Sequence, residues 1–102
     1  MKKSDVGLIG LGTMGSMLAL NIAEKGFQIS VFNRTTEITR KFSKTAGKLS
    51  ENITPCETLH ELVTTIKNPR AIILMVPAGS AVDEQIGALR PLLNPEDIII
   101  DA

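Results

Sequence analysis

Residues 6–25, VGLIGLGTMGSMLALNIAEK, decide the fold. Val6–Gly10 is an apolar run too short for a helix and closed by glycine, which predicts a buried β-strand. The period then changes. Met14, Met17, Leu18 and Ile22 fall at i, i+3, i+4 and i+8, which predicts one apolar stripe of a helix over residues 13–25. Gly26 stands where a glycine commonly ends a helix. Between strand and helix, Gly10-Leu11-Gly12-Thr13-Met14-Gly15 has the spacing G-x-G-x-x-G. At a strand–turn–helix junction each glycine has a physical task. Gly10 permits the tight turn, Gly12 lets the backbone approach a pyrophosphate with no Cβ in the way, and Gly15 lets the helix pack close to the strand. The start of the helix then presents N–H groups and the positive end of its dipole to an anion.

The next element, FQISVF at 27–32, is rich in β-branched and aromatic residues and predicts a second strand. In a fold of this kind the residue closing that strand chooses the cofactor. An Asp or Glu there accepts hydrogen bonds from the adenosine ribose and repels a 2′-phosphate. Here the position, twenty-three residues after Gly10, holds Asn33, followed by Arg34 and Thr35. Asn33 carries no repelling charge, Arg34 offers a planar fork of donors to a phosphate, and Thr35 adds a hydroxyl. The combination predicts NADP over NAD.

The rest of the chain continues the alternation. Thr35 or Thr36 caps a second helix with Ile38, Phe42 and Ala46 inward. A short edge strand is expected near 52–54. Leu59, Leu62, Val63 and Ile66 mark a helix stopped at Asn68-Pro69. The continuous apolar run AIILMV at 71–76 predicts a strand covered on both faces. Ser80 and Asp83 have the spacing of a capping box for a helix carrying Val82, Ile86 and Leu89, and IIID at 98–101 is a last strand. Strands alternating with helices predict an α/β fold, a doubly wound parallel sheet. With 102 residues the chain forms a single domain, 1–102. The final strand lacks a covering helix, so the sheet is expected to be cut short after it.

Composition narrows the function. Eleven Lys+Arg balance eleven Asp+Glu, and aromatics are three Phe, which argues against a nucleic-acid binder. One cysteine, Cys56, and one histidine, His60, leave no metal cluster, and both read as structural: Cys56 as a small half-buried residue, His60 on an exposed helix face. No apolar run reaches 18 residues and no cleavable leader is evident, so the expectation is a cytoplasmic protein without a membrane span. The charge is unevenly placed. Residues 1–48 carry eight Lys/Arg against three Asp/Glu, and residues 49–102 the reverse, so the half with the glycine turn is the half suited to an anion.

Taken together, VGLIGLGTMGSMLALNIAEKGF with VFNRT, then NPRAIILMVPAGSAVDEQI, then LRPLL and EDIIIDA, resemble the amino-terminal part of 6-phosphogluconate dehydrogenase, over nearly the whole chain. The resemblance implies a Rossmann-type fold and an enzyme of the pentose phosphate pathway that uses NADP to oxidise and decarboxylate 6-phosphogluconate to ribulose 5-phosphate. By motif, the cofactor residues it implies are Gly10 to Gly15, Asn33, Arg34, Thr35, and the loop Val76-Pro77-Ala78. Many members have Lys where this chain has Pro77, whereas related β-hydroxyacid dehydrogenases carry Val-Pro. A sister enzyme of that kind is therefore an alternative, as is a noncatalytic nucleotide-binding module. The family's catalytic Lys and Glu, and the helical domain that binds substrate and forms a homodimer, match nothing here. The chain is expected to bind NADP without catalysis, and to meet 6-phosphogluconate only in a complete enzyme.

Overall fold

Four-residue strands span little, so the sheet depends on every strand contributing to both of its faces. In the computed structural model, residues 3–76 and 79–102 are described. Strands β1 (Val6–Ile9), β2 (Ile29–Phe32), β3 (Ile53–Cys56), β4 (Ala71–Leu74) and β5 (Ile98–Asp101) are all parallel, in the order β3-β2-β1-β4-β5. Helices α1 (Thr13–Glu24), α2 (Thr36–Thr45), α3 (Leu59–Thr64) and α4 (Ser80–Leu89) lie in the connections. Alternation along the strands divides the core in two. Leu8, Ile29, Val31 and Ile53 pack with Ala19, Ala23 and Phe42 of α1 and α2. Ile9, Ile72 and Leu74 pack with Leu62, Val63, Val82 and Leu89 of α3 and α4. Each such fully buried aliphatic side chain contributes about 1.5–3 kcal/mol. This is the doubly wound α/β sheet expected from the sequence.

Four local expectations are corrected. The inward residues of α1 are Gly15, Ala19 and Ala23, while Met14 and Met17 are 72% and 60% exposed. Leu18 and Ile22 pack against the core as expected, but the helix lies too close to the sheet to fit the two methionines beneath it. In α2 Phe42 is buried as expected, but its buried companion is Thr39, and Ile38 is exposed. The Thr39 hydroxyl is needed inside, where it accepts a hydrogen bond from the Asn33 N–H at 3.2 Å. At α4 no capping box forms, because Ser80 is already helical and Gly79, at φ 95°, is the N-cap. The edge strand β3 forms two residues beyond the expected end, at Ile53–Cys56. On the opposite edge, β5 leaves Ile98 and Ile100 about half exposed.

The amino-terminal end of the sheet is closed by polar contacts. The Asp97 carboxylate accepts from the Arg70 N–H at 2.6 Å, from the Asn94 N–H at 2.8 Å and from the Arg70 guanidinium at 3.0 Å, and Arg70 Nε also donates to the Val63 carbonyl at 2.8 Å. Both side chains are largely buried. Burial opposes ionisation of Asp97, but the hydrogen bonds and the Arg70 charge outweigh it and hold the carboxyl below its usual range. Nearby, the buried Ser30 hydroxyl donates to Ser4 Oγ at 2.6 Å and lies 2.8 Å from Thr65 Oγ1.

Candidate nucleotide-binding site

The register brings three strand ends level. Ile9 pairs with Phe32 on one side and Leu74 on the other, so Gly10, Asn33 and Met75 leave the sheet side by side at its carboxyl end. The ladder runs one step further, with the Gly10 N–H donating to the Phe32 carbonyl at 2.9 Å and the Met75 N–H to the Ile9 carbonyl at 2.8 Å. Gly10 has φ 106°, and a Cβ there would overlap the Met75 carbonyl oxygen. A Cβ on Gly15 would overlap the Gly10 carbonyl oxygen, so this glycine sets the close approach of α1 to β1. Gly12 differs from both. Its φ of −69° suits any residue, and a Cβ there would meet nothing within 4 Å. No atom of the described chain requires a glycine at that position. What a side chain at 12 would fill is the open space before the N-terminus of α1, which has no side-chain cap. That cradle fits a pyrophosphate.

The sequence reading sets Asn33 at the cofactor-selecting end of β2, and its side chain has a further task. The Leu11 N–H donates to Asn33 Oδ1 at 2.8 Å, while Asn33 Nδ2 donates to the Thr35 carbonyl at 3.4 Å. Asn33 thus clamps the glycine turn to the end of β2. Leu11 itself is buried with its N–H given to this clamp, whereas Thr13 and Met14 are exposed on the first turn of α1. Arg34 is exposed, with Nη1 3.7 Å from the Glu84 carboxylate of α4. An exposed pair of this kind contributes about 0–1 kcal/mol and yields readily to a phosphate.

A cavity of about 170 Å³ lies between β1, the end of β2 and α4, lined by Ile9, Gly10, Asn33, Arg34, Thr35, Val76, Ala81 and Gln85. Five of the expected cofactor residues therefore share one cavity. Two more of them, Pro77 and Ala78, lie outside the described residues. Hollows of about 240 and 390 Å³ exist beside α1 and α2 and at residues 90–99, but neither gathers the strand ends, and convergence rather than size marks the site.

Gln85 was missed in the sequence. With Val82 and Leu89 it forms the buried stripe of α4, and its only signal was a polar residue at an inward helical position. Cys56 is fully buried, more deeply than expected. Burial pushes its thiol up to about 11, which makes it an unreactive packing residue. His60 is exposed as expected. Among the described residues no helix is long and apolar enough to cross a membrane.

Comparison with known proteins places this geometry. Residues 5–102 match the family model described as the NAD binding domain of 6-phosphogluconate dehydrogenase. The decarboxylating 6-phosphogluconate dehydrogenase of Ceratitis capitata is 46% identical over 97% of this chain and 20% of its own length. The NADP(+)-dependent, decarboxylating enzyme of Bacillus subtilis is 43% identical over 99% of this chain and 21% of its own length. Among solved structures, Plasmodium falciparum 6-phosphogluconate dehydrogenase, studied apo and with NADP+ or 6-phosphogluconate, superposes with a TM-score of 0.88 at 45% identity. It covers 96% of this chain, which in turn covers 21% of that one. The chain thus spans about a fifth of the length of the curated relatives it matches.

Proposed function

Since the chain belongs to the family of NAD binding domains of 6-phosphogluconate dehydrogenase, we propose that residues 1–102 act as one NADP-binding domain of an enzyme that oxidises and decarboxylates 6-phosphogluconate. The observation that carries the cofactor reading is the end of β2. Asn33, Arg34 and Thr35 line the cavity beside the glycine turn, and no carboxylate lines it with them. A 2′-phosphate there meets the Arg34 fork and the Thr35 hydroxyl, while the pyrophosphate faces the open space at Gly12 and the start of α1. Val76, Pro77 and Ala78 complete the proposed site at the end of β4.

Bound NADP would supply the hydride acceptor. The chain's own residues hold it: the Asn33 clamp fixes the turn, Gly15 fixes the helix on the strand, and Ile9, Val76 and Ala81 give the cavity its apolar walls. Oxidative decarboxylation also needs a general base for the hydroxyl and an acid for the enediol. We assign these groups, the substrate contacts and a homodimer interface to the part of the relatives that this chain does not match. The cytoplasm is the compartment consistent with this reading.

The test is fluorescence titration of the 102-residue chain with NADPH and with NADH, repeated on Arg34→Ala. Tighter NADPH binding that is lost in the variant is the expected result. Equal binding of the two nucleotides by the wild type overturns the NADP assignment.

A further inference from the structure

The start of α1 carries two exposed thioethers. Met14 and Met17 are more exposed than any other large apolar residue described. They stand at i and i+3, on one side of the first turns. Side chains of a helix lean back toward its N-terminus and cover surface before their own position, so both thioethers lean toward the start of α1. That start is open. The Ser16 N–H closes the first turn on the Gly12 carbonyl at 2.8 Å, the N–H groups before it have no carbonyl behind them in the helix, and no side chain caps them.

A thioether is a weak acceptor and answers such N–H groups poorly. Two-electron oxidation changes that. The sulfur lone pair attacks one oxygen of a hydroperoxide, and the S–O bond forms as the O–O bond breaks. The proton on the attacked oxygen passes to the departing one, which leaves as water or an alcohol. The methionine is oxidised to its sulfoxide, the peroxide is reduced, and an apolar side chain has become a polar one. Among the described residues no other sulfur competes for the oxidant at the surface, because Met75 packs against the core and Cys56 is fully buried.

We propose that Met14 and Met17 are a modification site, where a hydroperoxide forms sulfoxides whose oxygens accept hydrogen bonds from the first N–H groups of α1 and so compete with the pyrophosphate. The inference rests on the nucleotide-binding reading above and adds a regulation of that same site. The pyrophosphate is common to both nucleotides, so oxidation weakens NADPH and NADH binding alike and leaves the preference set at the end of β2 in place. Reduction of the sulfoxides restores binding.

The experiment treats the 102-residue chain with hydrogen peroxide, locates the added oxygens by peptide mass spectrometry, and titrates NADPH and NADH before and after. Sulfoxide is expected at Met14 and Met17 ahead of Met75. Affinity for both nucleotides is expected to fall about tenfold, the scale of one good hydrogen bond, and to recover after treatment with methionine sulfoxide reductases A and B. The oxidised chain should melt no lower than the untreated one without nucleotide. A chain carrying Met14→Leu and Met17→Leu, compared only with itself, should show the same affinity before and after peroxide. Wild type oxidised at both residues with unchanged affinity overturns the proposal and needs no variant. A tenfold loss that persists in the double variant overturns it as well, and so does oxidation that bypasses both residues. A folded, untreated wild type that binds neither nucleotide overturns the nucleotide reading itself, and this inference with it.

Discussion

The two ends of the sheet treat their polar groups in opposite ways. At the amino end, Asp97 receives three hydrogen bonds, Arg70 donates to a backbone carbonyl as well as to Asp97, and Ser4, Ser30 and Thr65 hydrogen-bond in a buried row. At the carboxyl end, α1 starts without a side-chain cap and Gly12 faces open space. Both ends are made by the same five strands. One end satisfies its own groups and contributes stability. The other leaves groups for something outside the chain and costs stability until it arrives.

The sharpest way to break this contrast is at Asp97. Asp97→Ala strands the largely buried Arg70 guanidinium and should destabilise the fold by about 3–5 kcal/mol in urea denaturation, with NADPH affinity of the folded fraction unchanged. The same carboxylate predicts a pH dependence. Its folded pKa is lowered, so the unfolded chain binds the proton more tightly. The stability it gives is complete above the ordinary Asp value of about 3.9 and is lost as pH falls below it toward the folded value. Urea midpoints measured between pH 6 and 3 should fall more in wild type than in Asp97→Asn.

Arg34→Ala is the converse experiment. Losing a charge-assisted contact of about 1.5–3 kcal/mol should weaken NADPH binding roughly 10- to 150-fold, leave NADH binding alone and leave the melting temperature unchanged. A large fall in melting temperature would mean that this end also holds the fold together.

Asn33 sits between the two behaviours and is where the comparison becomes finer. Asn33→Ala removes the acceptor of the Leu11 N–H, so it should cost about 1 kcal/mol of stability and weaken NADPH and NADH binding alike. Asn33→Asp keeps an oxygen for that N–H while placing a negative charge beside the 2′-phosphate site. It should retain the fold and shift preference toward NADH. The smallest effect belongs to Glu84. Its 3.7 Å contact with Arg34 is exposed at both ends, so Glu84→Gln should raise NADPH affinity no more than about fivefold, within the 0–1 kcal/mol of such pairs.

The sequence made the strand order of types, the glycine turn and the Asn33-Arg34-Thr35 corner readable, because each depends on local backbone needs or on spacing within one βαβ unit. It set Leu18 and Ile22 against the core, as observed, but misassigned Met14 and Met17 to the inner face of α1. A hydrophobic stripe identifies which residues avoid water, but the distance between helix and sheet decides which of them fit beneath, and Gly15, Ala19 and Ala23 fit where Met14 and Met17 do not. Thr39 displaced Ile38 for a related reason: a hydroxyl was needed against the Asn33 backbone, and that partner lies in another element. Gln85 was unreadable because its place in the cavity wall exists only once β1, β2 and α4 surround one space.

The Asn33 clamp has a consequence for how cofactor preference can be inherited. The residue that could change preference also holds the turn, so most replacements at position 33 damage both nucleotide complexes at once. Aspartate is the exception, since it preserves the oxygen facing Leu11 and is one base away from asparagine in the genetic code. A lineage carrying this domain can therefore move toward the opposite coenzyme by a single point mutation that keeps the turn intact, whereas replacements that lose the oxygen weaken both complexes on the way.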